Sequence, residues 1–268
     1  MRLFVSLTLL LFAAAPAVAA ETPWQEVTPS VRLRVISSDT KAADGSTLVG
    51  LELDMPQSFH TYWQDPGESG IATRFDIAGS QGLSDASIEW PYPSPEVTGG
   101  FLDYVYDGPT VLPIKLEATG ETAQLDATVV MGVCSDVCVP VQAKFSLPLS
   151  FGAADPVQSL RLQQAQAAAP IDWKDGAAPF GPVSYDPKAK GLRVTLGSDK
   201  VDPTSVIALT SDPTVIFDAP QKSPDGRSLL LPLRGQARGT EWTRNPVELT
   251  FMTPDGAYQV SERVAQPS

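Results

Sequence analysis

Cys134 and Cys138, with Ser135-Asp136-Val137 between them, are the two cysteines of this 268-residue chain, and no other residues in it offer chemistry as specific. Two thiols this close can form a disulfide, cycle as a redox couple or hold a soft metal ion. Zinc is disfavoured, because it takes three or four protein ligands and the chain has no further cysteine and a single histidine. Copper(I) fits better. Met131 is close in sequence, so Cys134, Cys138 and Met131 form a candidate copper(I) set.

Geometry constrains the pair. Four steps of extended strand span about 13 Å, whereas a disulfide needs Cα atoms within about 7 Å. A Cys134–Cys138 bond therefore demands a turn, and Ser135 and Asp136 are turn formers. The expected element is a hairpin, with a strand over 124–133 rising into the turn and one over 141–151 returning. Cys134 is out of phase with Leu125, Ala127, Val129, Met131 and Val133 and in phase with Asp126, Thr128 and Val130. It should lie on the face away from the apolar set. So short a loop gains only about 2 kcal/mol from closure, against nearly 5 for a loop of about 100 residues. That favours a redox couple over a staple, although an inert bridge stays open as a reading. No Lys, Arg or His lies between the cysteines to lower a thiol pKa, and Asp136 would raise it. Such a pair attacks slowly on its own but can be attacked by a partner's thiolate.

The elements that position the cysteines read as β. Val49, Leu51, Leu53 and Met55 alternate strictly, as do Leu112, Ile114 and Leu116, the set ending at Val133, and Phe145, Leu147, Leu149 and Phe151. Turn clusters such as Asp65-Pro66-Gly67 and Asp107-Gly108-Pro109 separate these runs, which predicts a sandwich. Pro113 and Pro148 fall inside strands, so those strands are expected to be edges or bulged. A helix is predicted from Asp155 as N-cap and Pro156 in the first turn to Ala168, stopped by Pro170. Alternation resumes at Leu192-Val194-Leu196, Leu229-Leu231-Leu233 and Val247-Leu249-Phe251. The expected organisation is a β-sandwich over 21–153, then a short helix and a second β-rich domain over 154–268.

Residues 1–20 read as a signal peptide, with Arg2, an apolar run from Leu3 to Ala15, and Ala17-Val18-Ala19 as a cleavage site. The mature chain is expected to be soluble, without stable membrane insertion, in a compartment where disulfides persist. In a Gram-negative host that is the periplasm. The formal net charge of −12 becomes −13 without Arg2. With no Lys/Arg cluster, nucleic acid is not an expected partner. No cofactor is expected. There is no phosphate loop, nucleophile elbow or interpretable carboxylate pair. His60, beside Phe59, Tyr62 and Trp63, reads as a packed, hydrogen-bonded residue.

Three stretches resemble a known family: His60-Thr61-Tyr62-Trp63-Gln64-Asp65-Pro66-Gly67-Glu68-Ser69-Gly70; Val111-Leu112-Pro113-Ile114; and the cysteine pair followed by Val139-Pro140. Over residues 25 to 150 they are similar to the N-terminal periplasmic domain of DsbD, and more closely to its suppressor-of-copper-sensitivity (ScsB-like) branch. The resemblance implies an immunoglobulin-like β-sandwich whose reversible Cys134–Cys138 disulfide takes electrons from a membrane-embedded thiol reductase. Those electrons then pass to thioredoxin-fold periplasmic proteins, which makes the chain a component of a thiol–disulfide oxidoreductase system. It further implies an aromatic cap over the pair in the stretch from Gly99 to Tyr106, with Phe101 the candidate and Tyr104 and Tyr106 beside it. The chain departs from the family in lacking a transmembrane reductase segment and a thioredoxin-like module, so the electron donor is expected to be a separate chain. The cysteine spacing is also shorter than in DsbD itself.

Overall fold

The computed structural model describes residues 20–152, 154–174, 176–234 and 241–265. The expected signal peptide (Ala20 apart) and the expected boundary residue Ala153 lie outside the described residues. The strands of the first region are β1 (Gln25–Thr28), β2 (Val31–Ser37), β3 (Ser46–Asp54), β4 (His60–Tyr62), β5 (Arg74–Asp76), β6 (Leu83–Ile88), β7 (Ser94–Thr98), β8 (Phe101–Asp107), β9 (Thr110–Ala118), β10 (Thr122–Cys134) and β11 (Cys138–Ser150). After α1 (Pro156–Gln166) come β12 (Ile171–Asp172), β13 (Phe180–Asp186), β14 (Gly191–Leu196), β15 (Ile207–Leu209), β16 (Ile216–Phe217) and β17 (Gln221–Lys222). The chain continues with β18 (Ser228–Arg234), β19 (Val247–Thr253), β20 (Gly256–Glu262) and β21 (Val264–Ala265).

The first region is an immunoglobulin-like sandwich. One sheet has the order β1-β2-β3-β9-β6, the other β11-β10-β4-β8-β7 with β5 on β10. The alternating residues named above meet between the sheets. Val49, Leu51, Leu112, Ile114, Leu116, Leu125, Val129 and Met131 are fully enclosed. The second region has its own core around Leu192, Val194, Leu231, Val247, Leu249 and Phe251. Its sheets run β12-β20-β19-β15 and β16-β18-β14-β13-β21.

Proline behaves differently in two strands. Pro148 is on β11, an edge of its sheet, as expected. Pro113 is not on an edge: β9 lies between β3 and β6, and its pairing with β3 runs without a bulge through Gly50↔Pro113. The Pro113 carbonyl accepts from Glu89 N at 2.8 Å, just past the end of β6 at Ile88. In a strand the N and O of one residue face the same neighbour, so the missing N–H of Pro113 falls where the β6 ladder has already run out.

Helix α1 starts as its sequence dictates. The Asp155 carboxylate accepts from Val157 N and Gln158 N, each at 2.9 Å. Expected as a connector or as the opening element of the second domain, the helix is packed on the first region. Leu162 is fully buried against Gly50 of β3, where a Cβ would come within 2.6 Å of its Cδ2. Arg161 pairs with Glu52 of β3, and Gln158 Nε2 donates to Glu21 at 2.6 Å. Beyond it the two regions touch directly. The Tyr92 hydroxyl donates to the Ser205 carbonyl, and Ile207 of β15 joins the core of the first region.

Candidate functional site

The cysteines sit at the closed end of the β10–β11 hairpin. Cys134 and Cys138 are directly opposed in the ladder, with Cα atoms 4.0 Å apart, and they are disulfide-bonded. The register continues sideways, Cys134 facing His60 of β4 and His60 facing Asp107 of β8. Strand alternation therefore puts Cys134, His60, Tyr62, Val105, Asp107 and Asp103 on the outer face of this sheet, away from the sandwich core.

An outer face is normally wet, yet Cys134 is 0% exposed. It forms a small buried cluster with Tyr62 and Val105. Against the Tyr62 ring lies the loop over 65–71, which is strapped down at several points. Ser69 N donates to Asp103 Oδ1 at 2.9 Å, and the Ser69 hydroxyl bonds the other carboxylate oxygen. Glu68 N donates to the Leu102 carbonyl at 3.0 Å, and Glu68 Oε2 accepts from Leu102 N at 2.8 Å. Gly132 N donates to the Ile71 carbonyl at 3.2 Å. Two glycines permit this approach. A Cβ on Gly67, whose φ is +81°, would meet the Leu102 carbonyl at 2.2 Å, and one on Gly70 would meet the Tyr62 ring at 2.3 Å. Cys138, across the turn, is exposed, with exposed Val137 and Val139 beside it.

Tyr62 was not singled out by the sequence reading. Its hydroxyl oxygen lies 2.8 Å from Cys134 Sγ and 3.1 Å from Cys138 Sγ. A disulfide sulfur carries no hydrogen, so the phenol is the donor. Burial, reinforced by the Asp103 and Glu96 carboxylates and opposed by a hydrogen bond with Ser69, holds the Tyr62 pKa above the ordinary phenol value. The group therefore keeps its proton and presents an O–H to any negative charge that develops on sulfur. No sequence signal marks this role, since only the β10–β4 register brings the residue to the sulfurs.

The surrounding charge is acidic. His60 stacks edge-on to Tyr62 with ring centroids 5.4 Å apart, and its Nδ1 is 3.6 Å from Glu96. That agrees with the packed reading of this histidine. His60, Glu96 and Asp107 bring one ligand atom each within 4.8 Å of one another, with Asp107 exposed. Met131 is fully buried in the sandwich core, on the opposite face of β10 from Cys134. The structure thus does not bring it to the sulfurs, and the candidate copper(I) set is reduced to two thiols. Tyr104 and Tyr106 also face the core. Tyr104 meets Trp63 edge-on at 5.7 Å, and the Tyr106 hydroxyl donates to the Pro91 carbonyl at 2.6 Å. Phe101 shares the outer face and is 53% exposed. It stands six residues along β8 from Asp107, about 20 Å of strand. The segment lying over Tyr62 is the 65–71 loop.

Residues 32–150 match the family model described as the N-terminal region of thiol:disulfide interchange protein DsbD. Among solved structures, the N-terminal periplasmic domain of ScsB from Proteus mirabilis superposes with a TM-score of 0.72 at 23% identity. The match covers 93% of this chain and 100% of that one, so the likeness of fold extends through the second region. No curated protein sequence matches the chain. Among the described residues no helix is long and apolar enough to cross a membrane.

Proposed function

We propose that this chain, carrying a DsbD N-terminal-type region over 32–150, is a periplasmic thiol–disulfide interchange protein working through Cys134 and Cys138. The observation that carries the reading is the asymmetry of the pair. Cys138 is an exposed residue, whereas Cys134 is buried beside a protonated phenol.

The exchange follows from that asymmetry. A thiolate of a reduced donor attacks Cys138 Sγ, the accessible sulfur. The Cys134–Cys138 bond breaks, a donor–Cys138 disulfide forms, and the electron pair leaves on Cys134 Sγ. The Tyr62 O–H, already within hydrogen-bond reach, stabilises that thiolate. The donor's second thiolate then attacks its own sulfur in the mixed disulfide and releases Cys138. Two electrons have moved, the donor is oxidised to a disulfide, and two protons from solvent complete the dithiol. The reverse sequence reduces an acceptor disulfide. By analogy with the family, the donor is a membrane-embedded thiol reductase, and the acceptors are soluble thioredoxin-fold proteins. Exposed Val137 and Val139 flank Cys138 as an apolar contact for such partners.

Trapping tests this. Replacing Cys134 by Ala leaves the exposed Cys138 able to form a mixed disulfide that no internal thiol can resolve. Periplasmic extracts should then yield partner adducts on Cys134→Ala and few on Cys138→Ala. Equal absence of adducts from both variants overturns the proposal.

A further inference from the structure

One side chain of the second region reaches the loop that lies against the Tyr62 ring. Arg234, the last residue of β18, places Nε 2.7 Å from Glu68 Oε2, and a second guanidinium nitrogen bonds the Gly100 carbonyl. Its third nitrogen lies 3.1 Å from Asp218, whose own N–H donates to the Pro232 carbonyl at 2.7 Å. The guanidinium is therefore fixed within its own region and grips the first region through the remaining two nitrogens. Its side chain is only 19% exposed and that of Glu68 23%, so the contact is partly shielded from water. Glu68 also holds the start of β8 through Leu102. Two residues on, Gly70 lies against the Tyr62 ring, and Ile71 is hydrogen-bonded to Gly132, two residues before Cys134. The contacts from Arg234 to the buried sulfur are continuous: Arg234, Glu68, the 65–71 loop, Tyr62, Cys134.

We propose that Arg234 is a positioning residue for disulfide exchange, holding the 65–71 loop closed over Tyr62 and Cys134 so that Cys138 alone is open to attack. This rests on the exchange function and gives the second region a role in it. An arginine suits the task. Its planar fork engages Glu68, Asp218 and a carbonyl at once, which the single ammonium of lysine does not reproduce. A carboxylate at Glu68 is required as well, because it binds the guanidinium and the Leu102 N–H with the same oxygen.

The test is the site-resolved alkylation rate of the reduced full-length chain, with iodoacetamide as probe and each cysteine read by peptide mass. In the parent protein Cys138 should react fast and Cys134 slowly. Arg234→Gln should accelerate Cys134 about tenfold, equivalent to ~1.4 kcal/mol of closure, and leave Cys138 unchanged. Arg234→Lys, which keeps the charge, should recover part of the protection. Gly70→Ala lifts the loop from its other end and should reproduce the Arg234→Gln pattern. Cys134 protection unchanged in Arg234→Gln overturns the proposal. So does equal acceleration of both cysteines, which signifies general loosening of the sheet. Neither outcome bears on the exchange function itself, which fails separately if the oxidised parent cannot be reduced at all by a dithiol.

Discussion

The Tyr62 hydroxyl stands 2.8 Å from the sulfur of Cys134, a residue 72 positions later in the chain. In the oxidised protein this is a weak contact to a neutral sulfur. Once the disulfide opens it becomes a hydrogen bond to an anion, roughly twice as strong. Tyr62 thus contributes most in the reduced state and in the step that leads to it. Among the described residues no lysine or arginine is recorded in contact with Cys134, and Glu96, Asp103 and Asp107 make its surroundings acidic. The phenol is therefore the group that makes a buried thiolate tolerable.

Tyr62→Phe should raise the Cys134 thiol pKa by about 1 to 2 units, since a hydrogen bond to a charged group contributes about 1.5–3 kcal/mol. Ultraviolet thiolate absorbance of the reduced protein against pH measures it. The oxidised variant should unfold at nearly the parent's urea midpoint. An unchanged titration would mean that the phenol does not serve the thiolate.

The disulfide itself should equilibrate with ordinary dithiols. Its potential should lie above about −300 mV, because inert structural bridges sit below that value. A redox titration against a graded dithiol buffer reads this directly, and a bridge that stays closed throughout would make it a staple.

Alkali should destabilise the fold earlier than its carboxylates would suggest. Burial pushes Tyr92 up to about 12 and raises Tyr104 and Tyr106 as well. An unfolded tyrosine ionises near pH 10. Above that pH the unfolded chain binds fewer protons than the folded one, so stability falls as pH rises. Each tyrosine costs up to about 1.4 kcal/mol per pH unit until its folded pKa is reached. Urea midpoints measured from about pH 8 to about pH 11 should decline, and a flat profile would contradict the burial of these phenols.

Leu162→Ala should cost about 2–5 kcal/mol, the range for emptying a fully buried leucine site. The loss should appear in unfolding of the first region, on which α1 is packed. Urea denaturation followed by near-ultraviolet dichroism reports it. A cost below about 1 kcal/mol would place the helix outside the first core.

The sequence by itself determined the alternating strands, the hairpin at the cysteines, the face on which Cys134 lies and the capped start of α1. These are local properties. Period-two patterning, the length of a disulfide and the chemistry of an Asp-Pro N-cap are written in neighbouring residues, and the structure places Val49, Leu51, Leu125 and Val129 as the alternation requires. Tertiary structure alone decided the rest. Outer-face phase predicts an exposed Cys134, yet the residue is buried, because Tyr62 and Val105 of neighbouring strands close around it and the 65–71 loop packs on Tyr62. The sandwich position of Pro113 depended on where β6 ends. Tyr62 met the sulfurs, and Arg234 met Glu68, through strand register and the docking of two regions. Register and docking are set by the summed burial of whole sheets, which no local window of residues contains.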